Sequence, residues 1–190
     1  MNKTSWLYLL CEFGPLLAFF IAGQVTSFFN AVGVLMLTTS LAVLASWKLV
    51  KHIPWLPIIS AVFVLGGGAV TLLYKSPDAI IFADTLYYIL LSLGFGYTLL
   101  RKRLVLKSLF SEAVAISDEG WYALTWRWLL LLVLAAIANE IARYTFSPDQ
   151  WIDYRFYKTM IITVFALSQF LFIKKHRLPG VSNYWGLRKD

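Results

Sequence analysis

Charged residues are scarce in this sequence of 190 amino acids. Asp, Glu, Lys and Arg together make up 14% of the chain, whereas hydrophobic residues make up 59%. Soluble domains carry about 25% charged residues. A water-soluble chain of this composition would have too few polar groups to cover its own surface, so much of it must face lipid. The low charge therefore excludes an ordinary soluble domain.

Cysteine and histidine are also nearly absent. The one cysteine, Cys11, lies in an apolar run and has no partner for an intrachain disulfide. The two histidines, His52 and His176, are isolated beside apolar runs, so they form no zinc-binding motif. The sequence also contains no Gly-x-Ser-x-Gly motif and no phosphate-binding loop. These absences predict a protein that is not an enzyme and that uses no metal and no cofactor.

Long apolar segments are what the sequence does contain. A membrane-spanning helix needs about 20 apolar residues. Six segments approach that length: Trp6–Gly23, Phe28–Ser46, Leu56–Tyr74, Ile80–Leu100, Ala123–Ala142 and Tyr157–Ile173. The first is short and contains Glu12 and Gly14-Pro15, so it is either a full span or a re-entrant or interfacial segment.

The predicted fold is an all-α, polytopic transmembrane helical bundle with five to six spans arranged as helical hairpins. Residues 1–178 form a single transmembrane helical domain in this interpretation, and residues 179–190 form a cytoplasmic tail. The stretch Leu104–Glu119, between two spans, has apolar residues at helical spacing and predicts a short interfacial helix.

The distribution of Lys and Arg predicts the orientation in the membrane. With six crossings, twelve of these residues lie on one side, four lie on the other, and Arg127 lies within a span. The four are Lys75, Arg143, Arg155 and Lys158. Positive charge marks the cytoplasmic side, so the C-terminus is expected inside whether or not the first segment spans. The net charge of +7 sits beside apolar runs, which favours anionic lipid over nucleic acid as its partner.

The same tripeptide begins two of the predicted hairpin turns. Ser76-Pro77-Asp78 and Ser147-Pro148-Asp149 are 71 residues apart. In each, Ser is expected to cap a helix, Pro to occupy its first position and Asp to favour its dipole. Gln150 would complete a capping box with Ser147. A duplicated helical hairpin explains the repeat, and chance combined with shared capping chemistry explains it as well.

Strongly polar residues inside apolar spans are costly and mark candidate functional positions. The candidates are Glu12, Asp84, Arg127, Asn139 and Glu140, with Arg143 directly after the fifth segment. Glu12 fits a proton or cation relay, or a carboxyl paired within the bundle. Arg127, between two Trp residues, is typical of a side chain that reaches the interface. Glu140 and Arg143 share a helix face, so with Asn139 they predict a polar clasp between helices, with a ligand site as the alternative.

Several of these residues resemble, in order and spacing, the intracellular septation protein A family of inner membrane-spanning septation proteins. The matching residues are Glu12-Phe13-Gly14-Pro15-Leu16, Gly68-Ala69-Val70-Thr71-Leu72, Gly120-Trp121, Leu124, Arg127-Trp128, Asn139-Glu140 and Trp151. The similarity extends from about residue 10 to residue 178. The chain departs from the family at Phe82-Ala83-Asp84-Thr85, where members have a run with Lys and Pro, which indicates a divergent branch.

The resemblance implies a multi-pass protein of the bacterial inner membrane that supports envelope integrity, septation and membrane homeostasis. It implies contacts with cell division or elongation membrane proteins and no established catalytic residues, and it leaves a homo-oligomer open. The alternative is a small transporter or lipid-handling protein that uses Glu12, Asn139 and Glu140. A water-accessible cavity reaching Glu12 and Glu140 would favour transport, whereas polar groups paired with one another would favour a scaffold.

Overall fold

The computed structural model describes residues 3–49, 55–102, 104–111 and 114–178. Its elements are seven helices: α1 (Lys3–Val25), α2 (Phe28–Leu49), α3 (Trp55–Tyr74), α4 (Asp78–Leu100), α5 (Val105–Phe110), α6 (Asp118–Thr145) and α7 (Pro148–Lys175). An isolated antiparallel bridge joins Ile116 and Arg177, and the described ranges contain no strand. The predicted all-α class is confirmed. The predicted tail, residues 179–190, lies outside the described residues.

Over the described residues, five helices are long and apolar enough to cross a membrane. Their spanning segments are Phe28–Lys48, Pro57–Tyr74, Asp78–Leu100, Asp118–Thr145 and Pro148–Lys175. A multi-span membrane protein is therefore confirmed. Helix α1 runs for 23 residues without a break at Pro15, although proline removes one backbone hydrogen bond. The described side chains of α1 give an apolar stretch of Phe13–Val25, shorter than a full span, so the sixth crossing remains a prediction.

The stretch Leu104–Glu119 contains a short helix, as predicted, and its place at the membrane interface stays a prediction. Helix α5 covers six residues and ends at Phe110. Further on, the backbone pairs with the end of α7: Ser117 N–H donates to the His176 carbonyl at 3.2 Å, and Leu178 N–H donates to the Ala115 carbonyl at 3.0 Å. The successive residues Val114, Ala115 and Ile116 are all buried, which a helix with one apolar face cannot achieve.

The chain forms two compact units. The first comprises Met1–Tyr87 and Ala136–Tyr157, and the second comprises Tyr88–Ala135 and Lys158–Asp190. The core of the first unit consists of twelve buried residues: Phe19, Ala22, Phe28, Ala31, Val32, Leu35, Val64, Ile80, Ile81, Ala142, Trp151 and Ile152. Gly67 permits a close approach of helices α3 and α4, because a Cβ added there would lie 2.6 Å from the Ala83 Cβ.

The second unit has its own apolar core around the end of α7. It consists of Leu106, Val114, Ile116, Trp121, Leu124 and Ile173. Lys107 Nζ lies 2.6 Å from Asp118 Oδ1, so an ion pair links α5 to the first turn of α6. Lys158 is buried in α7, with its Nζ 4.7 Å from the centre of the Tyr88 ring.

Candidate functional site

Asn139 is the centre of a buried hydrogen-bonded group in the first unit. Its side chain is 0% exposed, and its amide nitrogen donates to the Ile81 carbonyl at 2.9 Å and to Thr85 Oγ1 at 3.0 Å. Its amide oxygen accepts a hydrogen bond from Trp151 Nε1 at 3.2 Å. One side chain of α6 therefore binds both α4 and α7.

Glu140, next along α6, extends this group. One carboxylate oxygen accepts from Thr85 Oγ1 at 2.9 Å, and the other accepts from Arg143 at 2.7 Å. Arg143 Nε also lies 3.7 Å from Asp78 Oδ1 at the start of α4. We call Thr85, Asn139, Glu140, Arg143 and Trp151 the polar cluster. It leads from buried Asn139 to the partly exposed end of α6, and both Glu140 oxygens are hydrogen-bonded.

Small residues on α6 explain why the neighbouring helices approach closely enough to make these bonds. Ala136 and Ala142 are buried on either side of Asn139. Membrane helices lack a hydrophobic driving force for association, so small residues and interhelical hydrogen bonds hold them together. The sequence predicted that Glu140 and Arg143 would meet and that Asn139 would join a neighbouring helix, and the structure places these residues in that arrangement.

Asp84, the residue before Thr85 on α4, forms a mostly buried ion pair with Arg155 of α7. Its Oδ1 is 3.5 Å from a guanidinium nitrogen of Arg155, and the two side chains are 10% and 12% exposed, respectively. The Arg155 guanidinium also lies 5.2 Å from the centre of the Trp151 ring, at cation–π distance. The mostly buried carboxylate of Asp84 therefore has a cation on α7 beside it, which limits the cost of its charge.

Helix α7 begins at Pro148, where the Ser147-Pro148-Asp149 tripeptide predicts a helix start, and nine residues before the apolar segment Tyr157–Ile173. Arg155 and Lys158 therefore lie within this helix. Their place on the side of the membrane opposite the C-terminus stays a prediction. Arg155 occupies the same position relative to its Ser-Pro-Asp tripeptide as Asp84 does, because it lies 71 residues after Asp84, the interval that separates the two tripeptides.

The two helix starts are capped differently. In α7 the predicted capping box is present: the Gln150 N–H donates to Ser147 Oγ at 3.2 Å, and the Ser147 N–H donates to Gln150 Oε1 at 2.9 Å. In α4, the Ile80 N–H is instead bound by Thr71 Oγ1 of α3 at 3.0 Å. The similar tripeptides thus begin two helices whose first turns use different hydrogen-bond acceptors.

The remaining candidates are Arg127 and Glu12. Arg127 lies in the second unit, where its Nε donates to Gln169 Oε1 at 2.7 Å and its guanidinium lies 4.8 Å from the centre of the Phe172 ring. It is exposed, as expected for an arginine that reaches the interface. Glu12 lies in α1, but its side chain is outside the part that the structure describes, so its role remains a prediction.

The described residues offer no group of three His, Cys, Asp or Glu side chains that could hold a metal ion. They do form an open groove of about 360 Å³ in the first unit. Its lining residues are Phe146, Gln150, Asp153, Tyr154 and Tyr157. Neither Asn139 nor Glu140 lines this groove, so it is a feature distinct from the polar cluster.

Comparison with known proteins identifies the family. The model of the intracellular septation protein A family matches residues 7–179. The chain belongs to this family. It is 31% identical over 186 residues to the inner membrane-spanning protein YciB of Bradyrhizobium sp., covering 96% of this chain and 93% of that relative.

Two further relatives have the same name and similar coverage. The protein from Rhizobium meliloti is 34% identical over 192 residues, with 90% of each chain covered. The protein from Mesorhizobium japonicum is 35% identical over 195 residues, with 90% of this chain and 84% of the relative covered. No solved structure matches. The resemblance seen in the sequence is confirmed, and the chain is a multi-pass inner-membrane protein.

Proposed function

We propose that this protein is a non-enzymatic membrane scaffold that supports cell-envelope integrity, septation and membrane homeostasis. It would act through contacts with membrane proteins of cell division or elongation. The observation that carries this proposal is the mutual pairing of the polar cluster, in which the Asn139 amide makes three hydrogen bonds to α4 and α7. The family to which the chain belongs supports the septation role.

The pairing of Glu140 favours a structural role over transport. A proton relay needs a carboxyl that exchanges its proton with water or with the transported substrate. Both Glu140 oxygens accept hydrogen bonds from side chains of the first unit, and the groove in that unit is lined by other residues. Helix-to-helix hydrogen bonds of this kind hold membrane proteins in one arrangement.

In-cell crosslinking tests the scaffold role directly. Photo-reactive residues would replace Leu37, Leu41 and Leu44, which are exposed along one stripe of α2. Val32, buried in the same helix, provides the matched control position. We expect the exposed positions to give reproducible crosslinks to division or elongation membrane proteins and Val32 to give none. The proposal would be contradicted if the three exposed positions of α2 gave crosslinks to lipid alone and exposed positions of α1 and α7, tested in the same way, also gave crosslinks to lipid alone.

Glu140→Gln separates the scaffold from the transporter. Glutamine keeps the size of the side chain and can accept a hydrogen bond from Thr85 or Arg143, but it cannot act as a titrating acid. We expect envelope phenotype and folded protein level to remain close to those of the wild type. Loss of function at normal abundance and normal stability would overturn the scaffold and favour transport.

A further inference from the structure

The groove on helix α7 has its lining side chains on one helix face. Gln150, Asp153, Tyr154 and Tyr157 follow the i, i+3, i+4, i+7 spacing of such a face, and Phe146 precedes the helix. Phe146 and Tyr154 meet edge to face with their ring centres 5.8 Å apart. The groove therefore combines three aromatic rings with a single acidic side chain.

Asp153 gives the groove a negative charge. Its Oδ1 accepts a hydrogen bond from Gln24 Nε2 of α1 at 2.8 Å. Among the described residues, no Lys or Arg side chain lies within 4.0 Å of the Asp153 carboxylate. Aromatic faces are also negative because of the ring quadrupole. Carboxylate and rings together attract a cation, and an ammonium group suits this combination of contacts.

The position of the groove along α7 places it at the level of lipid headgroups. A helix of 28 residues is about 42 Å long, close to the thickness of a bilayer with its headgroup layers. Asp153 lies five residues after Pro148, or about 8 Å along the axis, which is near the boundary of the hydrocarbon layer. Tyr157, one turn deeper, would lie beside the first carbons of the acyl chains.

We propose that this groove binds the headgroup of a phospholipid that ends in a primary amine. The ammonium donates to the Asp153 carboxylate and lies against the rings of Phe146 and Tyr154, while the upper acyl chain packs on Tyr157. A volume of about 360 Å³ is near the lower end for small-molecule sites, which suits a headgroup better than a whole lipid. A phospholipid with an anionic headgroup and no amine would be repelled by Asp153.

The test is lipid retention by the full chain purified in mild detergent and measured by native mass spectrometry. The protein would be offered equal amounts of phosphatidylethanolamine and phosphatidylglycerol. Asp153→Asn keeps an acceptor for Gln24 but removes the charge, and Tyr157→Leu keeps an apolar side chain without the ring. Asp149→Asn is the matched control, because Asp149 is an exposed acid in the first turn of α7 that does not line the groove.

We expect the wild type and Asp149→Asn to retain the amine lipid in preference to the glycerol lipid. Asp153→Asn should reduce that preference by about tenfold, which corresponds to the loss of one charge-assisted contact. Tyr157→Leu should reduce it less. Equal retention by the wild type and Asp153→Asn, or a preference for the glycerol lipid, would overturn the proposal. Competition by free phosphoethanolamine at equal concentration would instead show a soluble ligand and would refute the lipid as the occupant.

Discussion

The indole nitrogen of Trp151 donates a hydrogen bond to the Asn139 amide oxygen at 3.2 Å, and both side chains are 0% exposed. The bond joins Asn139, six residues before the end of α6, to the first turn of α7. Tryptophan has one polar atom and needs an acceptor when it is buried. Asn139 supplies that acceptor, and its amide nitrogen donates to α4. The contribution of these hydrogen bonds to stability can therefore be measured by substitution.

Replacing Asn139 with Leu should destabilise the protein. The change removes three hydrogen bonds and leaves the Trp151 N–H buried without its acceptor. We expect a loss of about 1–2 kcal/mol in the free energy of unfolding in detergent, near the upper end for polar contacts in membranes. A double-mutant cycle with Trp151→Phe should give a coupling energy of about 0.6–1.7 kcal/mol. A coupling energy of zero would show that the bond contributes no stability.

Two neighbouring glycines in α3 should respond oppositely to substitution. A Cβ at Gly67 would lie 2.6 Å from the Ala83 Cβ and 3.1 Å from the Ala79 carbonyl oxygen, whereas one at Gly66 meets nothing within 4 Å. Gly67→Ala should therefore force α3 and α4 apart and cost about 1–3 kcal/mol.

Gly66→Ala is the control for that substitution. It changes the same residue type in the same turn and should be neutral, or stabilising by at most about 1 kcal/mol, because alanine favours the helix. Thermal unfolding of both variants in detergent provides the comparison. Equal transition temperatures for the two variants would contradict the close packing at Gly67.

Removing the cap of α7 should loosen its first turn. Ser147→Ala deletes the acceptor of the Gln150 N–H and should cost about 1 kcal/mol. Hydrogen exchange at Gln150 and Trp151 should become faster. Ser168→Ala serves as the control, since its hydroxyl bonds to the Phe165 carbonyl inside the same helix. Unchanged exchange in Ser147→Ala, or equal acceleration in both variants, would contradict the cap.

The C-terminus is expected on the cytoplasmic side. The sequence places twelve Lys and Arg residues on the side of the C-terminus and four, Lys75, Arg143, Arg155 and Lys158, on the other side. Positive charge is retained in the cytoplasm. A phosphatase reporter fused to the C-terminus, active only outside the cytoplasm, should be silent, and a fluorescent reporter that folds only inside should be bright. The reverse pattern would invert the topology.

The spans could be predicted from the sequence because each is a local property of consecutive apolar residues. The α7 capping box and the Glu140–Arg143 contact were predictable for the same reason, since each depends on residues three apart. Apolar content alone locates helix ends poorly, because polar residues such as Asp149 and Asp153 begin α7 and the apolar segment starts nine residues after the helix. The capping residues Ser147 and Pro148, by contrast, predicted the start of α7 correctly.

The partners of Asn139 and Asp84 could not be predicted because they depend on which helices pack together. The Ile81 carbonyl accepts from Asn139 at a separation of 58 residues, and no single-sequence pattern specifies such a pair. No hydrogen-bonding role was predicted for Thr85, which was named only as part of the segment that departs from the family pattern. The pairing of residues 115–117 with the end of α7 is equally non-local, and the sequence did not predict it.

The ion pair between Asp84 and Arg155 has a consequence for the order in which the chain enters the membrane. Arg155 follows Asp84 by 71 residues. At a synthesis rate of about 5–20 residues per second, Asp84 is incorporated roughly 4–14 s before Arg155. A lone Asp near the centre of a span costs about 2.5–3.5 kcal/mol during insertion, and less towards the ends. Insertion of α4 is therefore more favourable if this helix stays beside the translocation channel until α7 has been synthesised. A chain that stops after Thr145 should be inserted poorly and degraded, and Asp84→Asn should relieve that defect.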